Sequence, residues 1–260
     1  MDLNLRGKRA IVAAASRGLG AAIASSLASE GCIVEISSRS LSNATATASQ
    51  ISSDTGATVT AAEVDVSDRE AIRSWVHETG ARLGGLDIVI PNGGGPPAAT
   101  FDETGPVDWD AAYALTLRSA MAFAQAARPH IGRGGTMLFL TSTSVKEPIA
   151  ALSMSNVFRA GVGSLAKTLA NDWAHDGIRV NHLIPGRIAT ERLTDLDGSA
   201  AQRLGLGIED IRSTNESSIP LGRYGEVVEF AAAATFLVSP AASYITGATL
   251  QVDGGAIRGL

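Results

Sequence analysis

The sequence predicts an α/β protein built on one doubly wound parallel sheet of about seven strands, with helices on both faces. Three observations lead there. Short apolar runs alternate with helically spaced segments from one end of the chain to the other. That is the pattern of a parallel sheet covered on both faces. The 260 residues, 45% hydrophobic and 18% charged, suffice for a sizeable core and argue against wholesale disorder. No linker, internal repeat or low-complexity stretch divides the chain, so residues 1–260 read as a single domain. Right-handed crossovers put all strand C-termini on one edge, where such sheets bind ligands near the switch in strand order.

The first strand is the apolar run 9–15, RAIVAAA, ending in small residues. Residues 18–29 follow with helical spacing through Leu19, Ile23 and Leu27. Residues 33–36 form a second strand, and a Ser/Thr/Ala-rich helix begins near Leu41. Residues 58–64 read as the third strand. Asp68 opens a helix carrying Ile72, Trp75, Val76 and Leu83. The fourth strand, 86–90, ends at Pro91 and a glycine run. A long helix is predicted over 107–131, a fifth strand over 135–140 and a second long helix over 150–175. A sixth strand over 178–184, a helix over 226–237 and a last strand over 248–252 complete the set. Residues 187–224, with dispersed charges and several glycines, read as one long irregular, lid-like segment. Such segments are usually functional.

Composition excludes several classes. The net charge is −5, from 21 basic and 26 acidic residues, which disfavours general nucleic-acid binding. The single Cys32 removes any internal disulfide framework or Cys-rich metal site. His77, His130, His175 and His182 lack ligand spacing, so no metal is expected. The opening MDLNLRGKR has no apolar stretch of signal-peptide length. The Ala-rich runs are broken by Arg, Gln, Asn or Gly, so none reaches a membrane span. The expectation is a cytoplasmic protein with no membrane or nucleic-acid partner.

The turn after the first strand reads Ala13-Ala14-Ala15-Ser16-Arg17-Gly18-Leu19-Gly20. Gly18 and Gly20 open a helix directly after a strand, so bare backbone can approach a pyrophosphate at a helix N-terminus. After the second strand stands Ser37-Ser38-Arg39-Ser40. An NAD site usually places Asp or Glu here for the ribose hydroxyls. Arg39 instead suits a 2′-phosphate, with Arg17 and Ser16 alongside, so NADP(H) is favoured over NAD(H). Glu35 lies inside the strand, too early to be the first choice for the ribose.

With those residues in view, the chain resembles a short-chain dehydrogenase/reductase, nearest the 3-oxoacyl-carrier-protein-reductase-like branch. The resemblance covers nearly the whole chain and implies a Rossmann-type fold and a small-molecule carbonyl or alcohol substrate. Asp65, with Val66, matches the family's adenine-contacting position. Asn92-Gly93-Gly94 is similar to its Asn-Asn-Ala-Gly motif. Asn181 and the run Pro185-Gly186-Arg187-Ile188-Ala189-Thr190 match the Pro-Gly segment near the nicotinamide. Ile245-Thr246-Gly247 and Val252-Asp253-Gly254-Gly255 match the C-terminal signature. The family commonly forms tetramers, so a homo-oligomer, tetramer or dimer, is implied, with the two long helices against partner copies.

The resemblance also exposes departures. The family's catalytic set is Asn, Ser, Tyr and Lys. Ser142 matches the serine. Ser155 stands where the tyrosine belongs and Arg159 where the lysine belongs, with Ala160-Gly161 securing the register. The asparagine position falls on Thr116, and the first glycine of the nucleotide turn is Ala14. Positions 155 and 159 share a helix face. A serine is a much weaker acid than a phenol; Arg159 keeps a positive charge that could hold the cofactor's ribose or a phosphate, but it effectively cannot deprotonate. Lys146 is a candidate proton donor, with Glu147 as its possible ion-pair partner. Tyr113 reads as core packing, and His182 as a strand residue beside Asn181. Three readings follow: an NADP(H)-dependent oxidoreductase with an atypical site, a non-redox ligand-binding protein, or a non-redox catalyst such as a cyclase, dehydratase or isomerase.

Overall fold

A computed structural model describes residues 2–259. Seven strands form one parallel sheet in the order β3-β2-β1-β4-β5-β6-β7. They are β1 (Arg9–Val12), β2 (Ile33–Ser38), β3 (Val59–Glu63), β4 (Leu86–Ile90), β5 (Ile131–Leu140), β6 (Arg179–Pro185) and β7 (Thr249–Val252). The helices are α1 (Gly18–Ser29), α2 (Leu41–Thr55), α3 (Arg69–Leu83), α4 (Pro106–Tyr113), α5 (Ser119–Ala127), α6 (Ser153–Trp173), α7 (Glu191–Leu204), α8 (Ile208–Ser217) and α9 (Val227–Val238). The order of strands reverses between β1 and β4, which is the switch point that opens a ligand crevice.

Strand alternation divides the core between the two faces. Ala10, Val12, Ile88, Ile90, Leu138 and Leu140 pack with Ile23 and Leu27 of α1 and Phe230 and Leu237 of α9. Ile11, Val89, Met137 and Phe139 point the other way, onto Trp75 of α3, Phe123 of α5 and Val162 of α6. Phe123, Phe139 and Phe230 are among the largest fully buried side chains, each contributing about 1.5–3 kcal/mol by burial. Glu35 is buried within β2. Its carboxylate accepts from Trp75 Nε1 at 2.7 Å, Thr79 Oγ1 at 2.6 Å and Thr60 Oγ1 at 2.7 Å, and pairs with Arg82. It is thus a structural acid, spent inside the fold. Among the described residues no helix is long and apolar enough to cross a membrane.

Four sequence expectations change. The first strand stops at Val12, because Ala14 already turns with φ +47°. The helix predicted over 107–131 is two helices joined by a π-helical turn at Ala114–Arg118. It ends at Ala127, before Pro129, which lacks an N–H and disfavours helix at the residue ahead of it. The fifth strand then begins at Ile131, earlier than position 135, because Ile131 pairs with Leu86. The segment 187–224 is not irregular: it holds α7 and α8. Thr190 caps α7 by accepting from Leu193 N at 3.3 Å, and Gly205 ends it in the left-handed region at φ +66°.

That helical segment is pinned from below. Asp197 of α7 is buried and accepts from Tyr224 Oη at 2.8 Å, Asn215 Nδ2 at 3.1 Å and Arg187 Nη1 at 3.3 Å. One carboxylate therefore ties α7 to α8 and to both ends of the segment.

Candidate active site

The strand C-termini assemble the nucleotide edge. Asn92 Nδ2 donates to the carbonyls of Ala13 and Ala14, both at 3.2 Å, and so ties the β4 end to the turn after β1. Ala14 occupies the left-handed region without being glycine, which costs about 1–2 kcal/mol. Gly20 is required by packing, since a Cβ there would stand 2.8 Å from Ala14 O and Ala15 Cα. Ser16 and Ser38 hydroxyls lie 3.1 Å apart, joining the ends of β1 and β2. Leu19 is half-buried and packs against the core.

The other residues named from the sequence lie around the same edge. Arg39 is exposed at the end of β2. Asp65 is held below the usual carboxylate range, first by the Ser67 backbone N–H and lastly by the charge of Arg39. Val66 is buried, and its Cγ2 stands 3.4 Å from where Gly93 would carry a Cβ. Gly94 is open to the cleft. Pro185 pairs with Val252 in the sheet. Gly186 admits the approach of Asp253, whose Cα would be 2.6 Å from a Cβ. Ile188 is buried and bridges to Gly225. Thr190 faces Gly18 across the crevice. Arg17 is engaged by Glu191 of α7 in an exposed ion pair.

The positions that match the family's catalytic set lie on α6, on the π-helical turn and after β5. Arg159 Nε donates to Ser155 Oγ at 3.0 Å, one helical turn apart. Asn92, Gly93, Gly94, Thr116, Thr141 and Arg159 line one narrow pocket of about 30 Å³, enough for roughly a single water. Thr116 is buried on the π-helical turn, with its hydroxyl donating to Ala112 O. Helical π-turns often mark functional positions. Ser142 Oγ accepts from Ser144 N at 3.2 Å, so its own O–H is free to donate. Lys146 is exposed and takes no part in an ion pair among the described residues. Glu147 does not pair with Lys146; its Oε1 accepts from the backbone N–H of Arg258 at 3.3 Å.

Two residues prove structural. Tyr113 stacks on Phe158 with ring centroids 5.8 Å apart, as packing predicts. His182 is buried between Thr141 and Thr249, hydrogen-bonded to both hydroxyls and bridging β5 to β7. Burial, then the charge of Arg159, pushes its pKa down to about 4, so it stays neutral.

Sequence reasoning missed Arg192. Its Nη2 donates to Pro96 O at 2.9 Å, beside Gly95. It lines an open cleft of about 660 Å³ with Gly95, Pro97, Glu103, Asp195 and Arg203. Burial and the neighbouring Arg192 charge push the Arg159 pKa down to about 10. The available signal was a cation two residues past the helix-capping Thr190.

A family model described as Enoyl-(Acyl carrier protein) reductase matches residues 13–256. The gluconate 5-dehydrogenase of Gluconobacter oxydans is 31% identical over 254 residues, covering 97% of this chain and 95% of its own. The glucose 1-dehydrogenase 2 of Bacillus subtilis is 32% identical over 259 residues, with 98% and 96% covered. Among solved structures, L-sorbose reductase from Gluconobacter frateurii, complexed with NADPH and L-sorbose, superposes with a TM-score of 0.94 at 27% identity, covering 100% of both chains. A short chain dehydrogenase from Burkholderia cenocepacia in complex with NADP gives 0.86 at 33% identity, covering 97% of this chain and 98% of its own. The strand order with its crevice at the β1/β4 switch, and matches that run almost end to end, place this chain in the short-chain dehydrogenase/reductase family.

Proposed function

We propose that the protein is an NADP(H)-dependent oxidoreductase acting on a small-molecule carbonyl or alcohol. The observation that carries this reading is the uncapped N-terminus of α1. Arg17 at its N-cap makes no side-chain capping bond, and Gly18 brings no side chain to the first turn. The first-turn N–H groups are therefore available to a pyrophosphate. Arg39 stands beside Ser38 with no ion pair among the described residues, and its fork suits a 2′-phosphate. Asp65 and Val66 would flank the adenine, and Pro185, Gly186, Ile188 and Thr190 the nicotinamide end. The relatives solved with NADPH and NADP support the same choice.

When bound, the cofactor supplies or accepts the hydride. The chain must then orient the carbonyl and handle one proton. The free O–H of Ser142 is the donor to the carbonyl oxygen. Ser155 occupies the position of the family's tyrosine and Arg159 that of its lysine. Ser155 accepts from Arg159 Nε, so its own O–H points elsewhere and can donate. The adjacent cation stabilises negative charge left on that oxygen. Arg159 remains charged at neutral pH even with its lowered pKa of about 10, so it positions without passing a proton on. Lys146 or a water completes the exchange with solvent.

The test is a titration of NADPH and NADH into wild type and Arg39→Ala. The expected result is micromolar binding of NADPH and at least roughly tenfold weaker NADH. Arg39→Ala should weaken NADPH about tenfold and leave NADH unchanged. No binding of either at about millimolar concentration would overturn the reading and turn attention to a non-redox ligand.

A further inference from the structure

Arg159 of α6 and Arg192 of α7 aim their guanidinium groups at one spot. The Nη2 of each stands 3.3 Å from the place where Gly95 would carry a Cβ. Arg159 spends only its Nε inside the fold, on Ser155 at 3.0 Å, and Arg192 reaches only the Pro96 carbonyl at 2.9 Å. Among the described residues neither arginine pairs with a carboxylate. The nearby Glu103 is occupied by the Thr100 N–H at 2.7 Å and the Thr100 hydroxyl at 2.9 Å. Asp195 and Arg203 line the same cleft with opposite charges.

Two guanidinium groups held together without an acid repel each other, and desolvation of Arg159 raises the cost, while Arg192 is exposed. Burial first, and then the Arg192 charge, lower the Arg159 pKa. An oxyanion between them relieves both terms at once and can accept charge-assisted bonds from each fork. Gly95 keeps that space open, since a methyl group there would crowd both Nη2 atoms. Arg192 and Gly95 line the cleft of about 660 Å³, a size that holds small molecules, and Arg159 lines the narrow pocket at Gly94.

We propose that Arg159 and Arg192 form an oxyanion-binding site, so that the substrate carries a carboxylate or phosphate group beside its reacting carbonyl or alcohol. This rests on reading the cleft as the substrate side of an oxidoreductase. Arg192 is then a specificity residue supplied by the helical segment 187–224.

Calorimetric titration of the full chain with malonate and with inorganic phosphate, at ionic strength held constant by chloride, tests it with and without saturating NADPH. At least one of the two anions should bind saturably, and which one does separates a carboxylate from a phosphate substrate. Arg192→Gln should weaken that anion about ten- to a hundredfold. Arg192→Lys should recover part of the loss. Gly95→Ala, which keeps both charges, should also weaken it. NADPH affinity should stay within about twofold in Arg192→Gln, because a tenfold change corresponds to a whole lost contact. Absence of saturable binding by either anion overturns the proposal. So does competition between anion and NADPH together with weaker NADPH binding in Arg192→Gln, which would give the pair to the cofactor. Anion binding with no NADPH binding at all would sink the oxidoreductase reading and leave the oxyanion site standing.

Discussion

Two positions on α7 handle charge in opposite ways. In its middle, Asp197 is buried and met by Tyr224, Asn215 and Arg187, all supplied by the same segment. At its start, Arg192 meets a backbone carbonyl and the field of a second arginine. A charge answered inside the fold holds the fold together. A charge left facing another of its own sign is free to meet a partner outside the chain, as proposed for Arg192. The same contrast separates Glu35, enclosed by its donors, from Arg39, exposed at the nucleotide edge.

Breaking the satisfied position should have the largest effect on stability. Asp197→Ala leaves a phenol, an amide and a guanidinium without their acceptor. It should cost about 4 kcal/mol, since removing one member of a buried charged network exposes all the others. Urea unfolding measures it, and a loss below about 1 kcal/mol would show that the segment is held by other contacts. Arg192→Gln, by comparison, should leave the urea midpoint almost unmoved.

A second measurement reads the unsatisfied position through its neighbour. His182 is held neutral, with a pKa of about 4 against an ordinary 6.5. Between those values the unfolded chain binds the proton more readily than the folded one. The contribution of His182 is therefore full above about pH 6.5 and falls as the pH drops toward about 4, by at most about 3 kcal/mol. His182→Gln should flatten that part of the stability curve. Arg159→Gln should move the His182 titration upward, which proton NMR of the ring would show. An unmoved titration would mean that burial alone sets it.

The smallest effect belongs to the nucleotide turn. Ala14→Gly relieves a left-handed alanine, worth about 1–2 kcal/mol. It returns about 0.4–1 kcal/mol through the freer unfolded chain. A net gain of up to about 1.5 kcal/mol, read from urea unfolding, is expected. A net loss would show that the turn holds Ala14 without strain.

Most of the sheet was legible because each strand is a short apolar run whose alternate residues meet the two faces. Val12 against Ile11, and Phe139 against Leu138, make that division plain. The gathering of Gly18, Gly20, Ser38 and Arg39 at one sheet edge was legible because each sits at a fixed offset from a strand end. Residues 187–224 were misread as irregular. Their polar, Gly-interrupted sequence hides two helices that are fixed by one buried acid. The Thr190 cap and the spacing of Leu193, Leu196 and Ala200 were the overlooked signals. The π-helical turn under Thr116 had no signal that local propensity could supply.

What the sequence determined by itself is the succession of strands and helices, the glycine-bearing turn and the departures at positions 14, 155 and 159, because all are local patterns. Only the tertiary structure decided which charges meet. Arg159 and Arg192 are far apart in sequence and come from different helices, and their approach to Gly95 depends on how α6 and α7 pack around the end of β4. Asp197 finds its three donors, and His182 its two hydroxyls, by the same route. Side-chain electrostatics act over a few ångströms of space, and the separation of residues along the chain does not set those distances.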